Sequence, residues 1–135
     1  MSSYVVSKTT LFPQLVWVVR MNSDYILTID VGHPPRPPQQ VENALAEALA
    51  KVRNSSTLRA IKVIHGYGSH GHGGSTRETV RNWAFQFRRR FRAVINGEDY
   101  AIFDDDTQEM RQACGQIDDG DLGMGNAGIT VIWVK

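Results

Sequence analysis

Two short stretches carry the side chains that can do chemistry near neutral pH. One is Ile29-Asp30-Val31-Gly32-His33; the other begins His65-Gly66-Tyr67-Gly68-Ser69-His70 and runs on through glycines to Gly74. A carboxylate at position 30 can take a proton from a water or a ribose hydroxyl, orient a histidine, or hold a divalent cation such as magnesium. His33 and His65 can act as acid or base, since imidazole alone titrates near neutrality without help. Each residue also has a purely architectural role open to it. Asp30 can cap the following turn by accepting backbone N–H groups, and His65 can bond a neighbouring carbonyl and tie two loops together.

The second stretch adds a phosphate cradle to this chemistry. Gly66, Gly68 and Gly74 let the backbone take positive φ and approach a ligand closely. Ser75, with Glu78 three residues on, is a capping-box pattern, so the loop runs into a helix N-terminus. Unpaired N–H groups and the positive end of the helix dipole suit an anion there. Ser69 and His70 lie in the loop, and Arg77 and Arg81 lie on the first helical turns, where they can meet backbone phosphates. Tyr67 can stack on a base or pack at half exposure. His65, His70 and His72 lack the spacing of a zinc site and have no thiolate or carboxylate near them in sequence, so no structural zinc is expected, and a divalent cation such as magnesium at Asp30 stays open.

Positioning these residues takes a strand before each stretch and a helix after it. Tyr25–Val31 and Leu58–Ile64 are apolar enough to be strands. Between them, four prolines in 33–38 stiffen a loop, and Pro37 or Pro38 can open a helix over 39–53. Its apolar stripe is Val41, Leu45, Ala48, Leu49 and Val52. A second helix is expected over 76–92, burying Val80, Trp83, Ala84, Phe87 and Phe91. Further strands are expected within 93–103 and over 129–134, with a short helix capped by Asp104-Asp105-Asp106 between them. Gly115–Gly128, with five glycines, reads as a mobile loop. Leu15–Val19, turned at Asn22-Ser23-Asp24, reads as an added edge strand on an antiparallel hairpin. The order predicts a two-layer α/β sandwich with a mixed, mostly parallel sheet of four or five strands. In a parallel βαβ unit the strand ends at Asp30 and His65 fall on one sheet edge, where α/β folds place their sites.

Length and composition fit a single soluble domain. Cys114 is the only cysteine, so no internal disulfide forms, and a reducing cytoplasmic setting is the default. No apolar run reaches the length of a membrane span, and the first ten residues lack the pattern of a signal peptide. The net charge of +1 conceals segregation: 51–92 carries ten basic residues against one acid, and 93–135 carries nine acids against two bases. A polyanion-binding face beside an acidic edge is one consequence; pairing of the two thirds inside the fold is the other.

His65-Gly66-Tyr67-Gly68 after an apolar strand, Thr76-Arg77 at the next helix start, and Gly128-Ile129-Thr130-Val131-Ile132 near the C-terminus together resemble the Smr (small MutS-related) domain family. The similarity covers roughly 25–134, leaving 1–24 as an extension. Two departures are visible. Gly32 stands where the family's first motif has histidine, with His33 one residue late, and the loop after Gly68 is longer. Members of that family are implicated as nucleic-acid binders and as nicking or RNA-cleaving endonucleases. The resemblance therefore implies a polynucleotide partner, RNA or DNA, and a site at Asp30, His33 and His65. The alternative is a binding module without cleavage, and a protein-interaction domain using the acidic third is a further one.

Overall fold

In a computed structural model, residues 19–23, 25–67 and 75–135 are described. Five strands form one sheet in the order β1-β2-β3-β5-β4. They are β1 (Val19–Ser23), β2 (Ile26–Asp30), β3 (Ala60–Ile64), β4 (Ala93–Asn96) and β5 (Ile129–Trp133). The helices are α1 (Pro38–Asn54), α2 (Thr76–Gln86) and α3 (Asp105–Cys114), with single 3-10 turns at Arg88–Arg90 and Gly97–Asp99.

The layered α/β architecture follows the expectation, but the sheet is not mostly parallel. Only β2 and β3 pair in parallel; β1–β2, β3–β5 and β4–β5 are antiparallel. The reason lies in the crossovers. β2-α1-β3 and β3-α2-β4 lead to strands of the same sense, but the second crossover skips one position. β5 fills that gap running the other way, which converts one parallel neighbour into two antiparallel ones.

α1 starts as its prolines dictate, with Pro38 in the first turn, where the missing N–H costs nothing. It buries Val41, Ala44, Leu45, Ala48, Leu49 and Val52. With Val80, Trp83 and Ala84 of α2 these cover one sheet face, made of Leu27, Ile29, Ile61, Val63 and Ile132. The α2 helix is shorter than its apolar stripe suggested. Phe87 leaves helical geometry (φ −103°, ψ 18°), and the 3-10 turn then carries Phe91 back into the core.

The first hairpin also shifts. Val19, Asn22 and Ser23 pair with Ile29, Leu27 and Ile26, so Asn22 and Ser23 are strand residues rather than the turn. β1 is the edge strand, as expected; residues 15–18 of the anticipated strand lie outside the described residues.

The opposite sheet face is closed by α3 and the 115–128 segment around Ile26, Ala60, Ile95, Tyr100, Met110 and Val131. Asp104 caps α3 by accepting from the Thr107 N–H at 2.9 Å. The 115–128 segment, expected to be mobile, is pinned by its aspartates. Lys62 Nζ, on β3, donates to Asp119 Oδ1 at 2.6 Å and Asp121 Oδ2 at 2.8 Å. The Tyr100 hydroxyl donates to Asp119 Oδ2 at 2.7 Å. Burial alone would raise the Asp119 carboxyl, but Lys62, the Asp121 N–H and Tyr100 hold it below the usual carboxylate range. Burial, then the Asp119 carboxylate, push the Tyr100 hydroxyl far up. Segregated charges thus meet across the fold, at Lys62 and again where Arg81 meets Glu98.

Replacing Lys62 by Met leaves two carboxylates without their cation, one of them buried. Breaking a buried pair in this way costs about 3–5 kcal/mol. Urea unfolding at pH 7 should show that loss. The difference from wild type should shrink below about pH 4, where carboxylates protonate. An equal loss at both pH values would contradict the pairing.

Candidate functional site

β2 and β3 run in register, with Asp30 beside Ile64, so the turns that leave them emerge side by side. Val31 donates its N–H to the Ile64 carbonyl at 2.9 Å, extending the pairing one step. Beyond it, Gly32 lies directly on the His65 main chain. A Cβ at position 32 would stand 2.7 Å from the His65 carbonyl carbon and oxygen, which are backbone atoms with little room to move. Any side chain there would force the two turns apart.

Asp30 occupies both of the roles open to it. Its Oδ1 accepts from the Gly32 N–H at 2.9 Å and the His33 N–H at 3.1 Å, which folds the turn. The same carboxylate faces His33 Nδ1 at 3.0 and 3.1 Å. A carboxylate only accepts, so Nδ1 carries the proton between them, and Nε2 has no hydrogen-bond partner among the described residues. The His33 side chain is 65% exposed. This is an oriented imidazole at an open corner of the sheet.

His65 is a different object. It is 3% exposed, and both ring nitrogens are engaged: Nδ1 with the Gly66 carbonyl at 2.7 Å, Nε2 with Thr130 Oγ1 at 2.9 Å. Thr130 in turn accepts from Arg81 Nε at 3.0 Å, so its own proton points to His65. Burial lowers the His65 pKa to about 4, with the Arg81 and Arg77 charges adding to it against the bond to Gly66. The expected proton-transfer role of His65 does not fit this geometry. The ring is neutral, saturated and enclosed, and it holds the loops together.

Two further expectations are corrected. Arg81 does not face a ligand: its guanidinium spans Thr130, both oxygens of Glu98 at 3.1 and 2.8 Å, and the Ile129 carbonyl. Glu98, hydrogen-bonded to it, is held below its usual range. Gly66 takes φ +85°, as a turn glycine should, but its N–H and that of His65 both bond the Gly128 carbonyl. Those two donors are unavailable to a phosphate. Tyr67 is 64% exposed, in keeping with a stacking surface. Arg77 makes no hydrogen bond or ion pair among the described residues, at half exposure on the first turn of α2. Ser75 caps that helix by accepting the Glu78 N–H at 3.1 Å. Gly68, Ser69, His70 and Gly74 lie outside the described residues. Among the described residues no three acidic, histidine or cysteine side chains gather as a metal site.

Sequence reasoning missed Thr130 and Asn126. By sequence Thr130 is only a residue of the last strand, yet it is the relay between His65 and Arg81. Asn126 accepts the Gly128 N–H and donates to Asp121, linking the acidic loop to the site's floor. The one available signal was a polar residue inside an otherwise apolar strand, Thr130 among Ile129, Val131 and Ile132. No protein-family model matches the chain, and no curated protein or solved structure matches it.

The lowered His65 pKa carries a stability signature. The native ring binds its proton only near pH 4, the unfolded ring near 6.5, so between them the unfolded state holds more protons. Stability is complete above about 6.5 and falls as pH drops towards 4, by about 3 kcal/mol. Denaturant midpoints measured at pH 7 and 4.5 should converge for His65→Gln and diverge for wild type. In the same assay Gly32→Ala should lose about 1–3 kcal/mol through overpacking.

Proposed function

We propose that this chain is a nucleic-acid-binding domain of the Smr type, with an endonuclease activity centred on the Asp30–His33 pair. The observation that carries the reading is the exposed imidazole oriented by a carboxylate. It stands at the corner where two loops leave adjacent parallel strands. His33 Nε2 takes the proton of the attacking hydroxyl, and the Asp30 carboxylate stabilises the imidazolium that results. The 2′-hydroxyl of RNA suits this pair best, because it is already held beside the phosphate it attacks; the P–O5′ bond breaks, a 2′,3′-cyclic phosphate forms, and the leaving 5′-oxygen takes its proton from the imidazolium or from water. Tyr67 offers a face for a neighbouring base, and Arg77 offers charge to the phosphate.

Asp30 does not suit a magnesium ion. Its oxygens already accept from two backbone N–H groups and an imidazole, and among the described residues it belongs to no group of three or more acidic, histidine or cysteine side chains. Cleavage is therefore expected to persist in a chelator. End-labelled structured RNA and supercoiled DNA, incubated with and without magnesium, provide the assay. His33→Ala should lower the cleavage rate by about 10²–10⁴, and Asp30→Asn should lower it in the same direction.

The second reading is a binding module without cleavage. It draws support from His65, the histidine of the intact motif, which is enclosed and fully bonded. Wild type that binds RNA yet leaves it whole under both metal conditions would decide for that reading.

A further inference from the structure

We propose a second nucleic-acid contact, separate from the Asp30–His33 corner: a groove between α2 and the free edge of β4 that takes a single-stranded oligonucleotide. The groove has a volume of about 490 Å³ and is lined by Arg81, Phe85, Arg88 and Arg92 over Val94 and Asn96 of β4. Its charge is lopsided. Arg81 is neutralised by Glu98, but Arg88 and Arg92 have no carboxylate partner among the described residues, and no acid lines the groove.

Its arginines are also pre-arranged. The Arg88 guanidinium lies 3.9 Å from the Phe85 ring centroid and donates to the Phe85 carbonyl at 2.7 Å. The Arg92 guanidinium lies 4.9 Å from the Trp133 ring centroid. Holding both against aromatic rings reduces the freedom lost when a phosphate binds. Phe85 is 64% exposed, an apolar ring in water beside two unpaired cations.

An exposed aromatic ring beside unpaired guanidinium groups is what a single strand uses: a base stacks and phosphates pair, with no base-edge readout required. A duplex would present its phosphates and hide its base faces, leaving Phe85 without a partner. An acidic peptide would satisfy the arginines but makes no special use of the open ring. The 3-10 turn at Arg88–Arg90 adds Arg89 and Arg90 just outside, both exposed, so the positive field extends past the groove.

Fluorescence anisotropy with a labelled 12-nucleotide oligo(dT), titrated at several salt concentrations, tests this. Phe85→Ser should weaken binding about tenfold, the size of one lost stacking contact. Arg88→Gln with Arg92→Gln should weaken it further and flatten the slope of log affinity on log salt by roughly 0.7 for each arginine removed. Phe85 is on the surface, so its variant decides even where the double variant unfolds early. Unchanged oligo(dT) binding by Phe85→Ser overturns the proposal. So does a duplex of equal length that binds as tightly as the single strand. An oligoglutamate peptide showing the same loss with Phe85→Ser also overturns it, in favour of an acidic protein partner. The titration reads binding alone, so an inactive Asp30–His33 corner leaves it interpretable.

Discussion

The end of the sheet depends on one hydrogen-bonded relay. Arg81 donates to Thr130, Thr130 to His65, and His65 to the Gly66 carbonyl. Each link joins a different element: α2, β5, the end of β3 and the loop after it. The relay works only while the imidazole is neutral, since a charged ring would set a donor against the Thr130 proton. Burial and two nearby arginines keep it so. A polar network inside a core is unfavourable unless every member is satisfied. Here the last free donors of Arg81 end on Glu98 and the Ile129 carbonyl.

This arrangement separates the two histidines that sequence alone set side by side. His65 is taken inward by β3, whose end sits between β2 and β5 with strands on both sides. His33 falls past the end of β2, after a glycine that lets the turn lie on the His65 backbone. Both histidines are held by their neighbours, but only His33 keeps a nitrogen for chemistry.

The opposite face is governed by a second satisfied cluster, in which Lys62 meets Asp119 and Asp121 beneath Tyr100. It explains why a segment rich in glycine and aspartate is ordered. The glycines permit tight turns, and the aspartates have a buried cation to reach. Part of the basic excess of the central third is absorbed in this way. Among the described residues, Arg88 and Arg92 stay without a carboxylate and line the groove between α2 and β4.

The amino-acid sequence by itself determined the elements and their periods. The stripe from Val41 to Val52 marked a buried helix face, Asp104 and Ser75 marked helix starts, and the apolar runs at 25–31, 58–64 and 129–134 marked strands, each observed a residue or two shorter. Such local signals need only propensity, spacing and caps. The adjacency of Asp30 and His65 was also legible, since a βαβ unit brings its strand ends together. The tertiary structure alone decided which neighbours β5 would have, and through that the burial of His65, the engagement of Arg81 and the anchoring of the acidic loop. Those outcomes rest on contacts between residues as far apart as 62 and 119 or 65 and 130. A one-dimensional pattern carries no term for such pairings, because nothing local in a histidine says whether its next neighbour is water or a threonine.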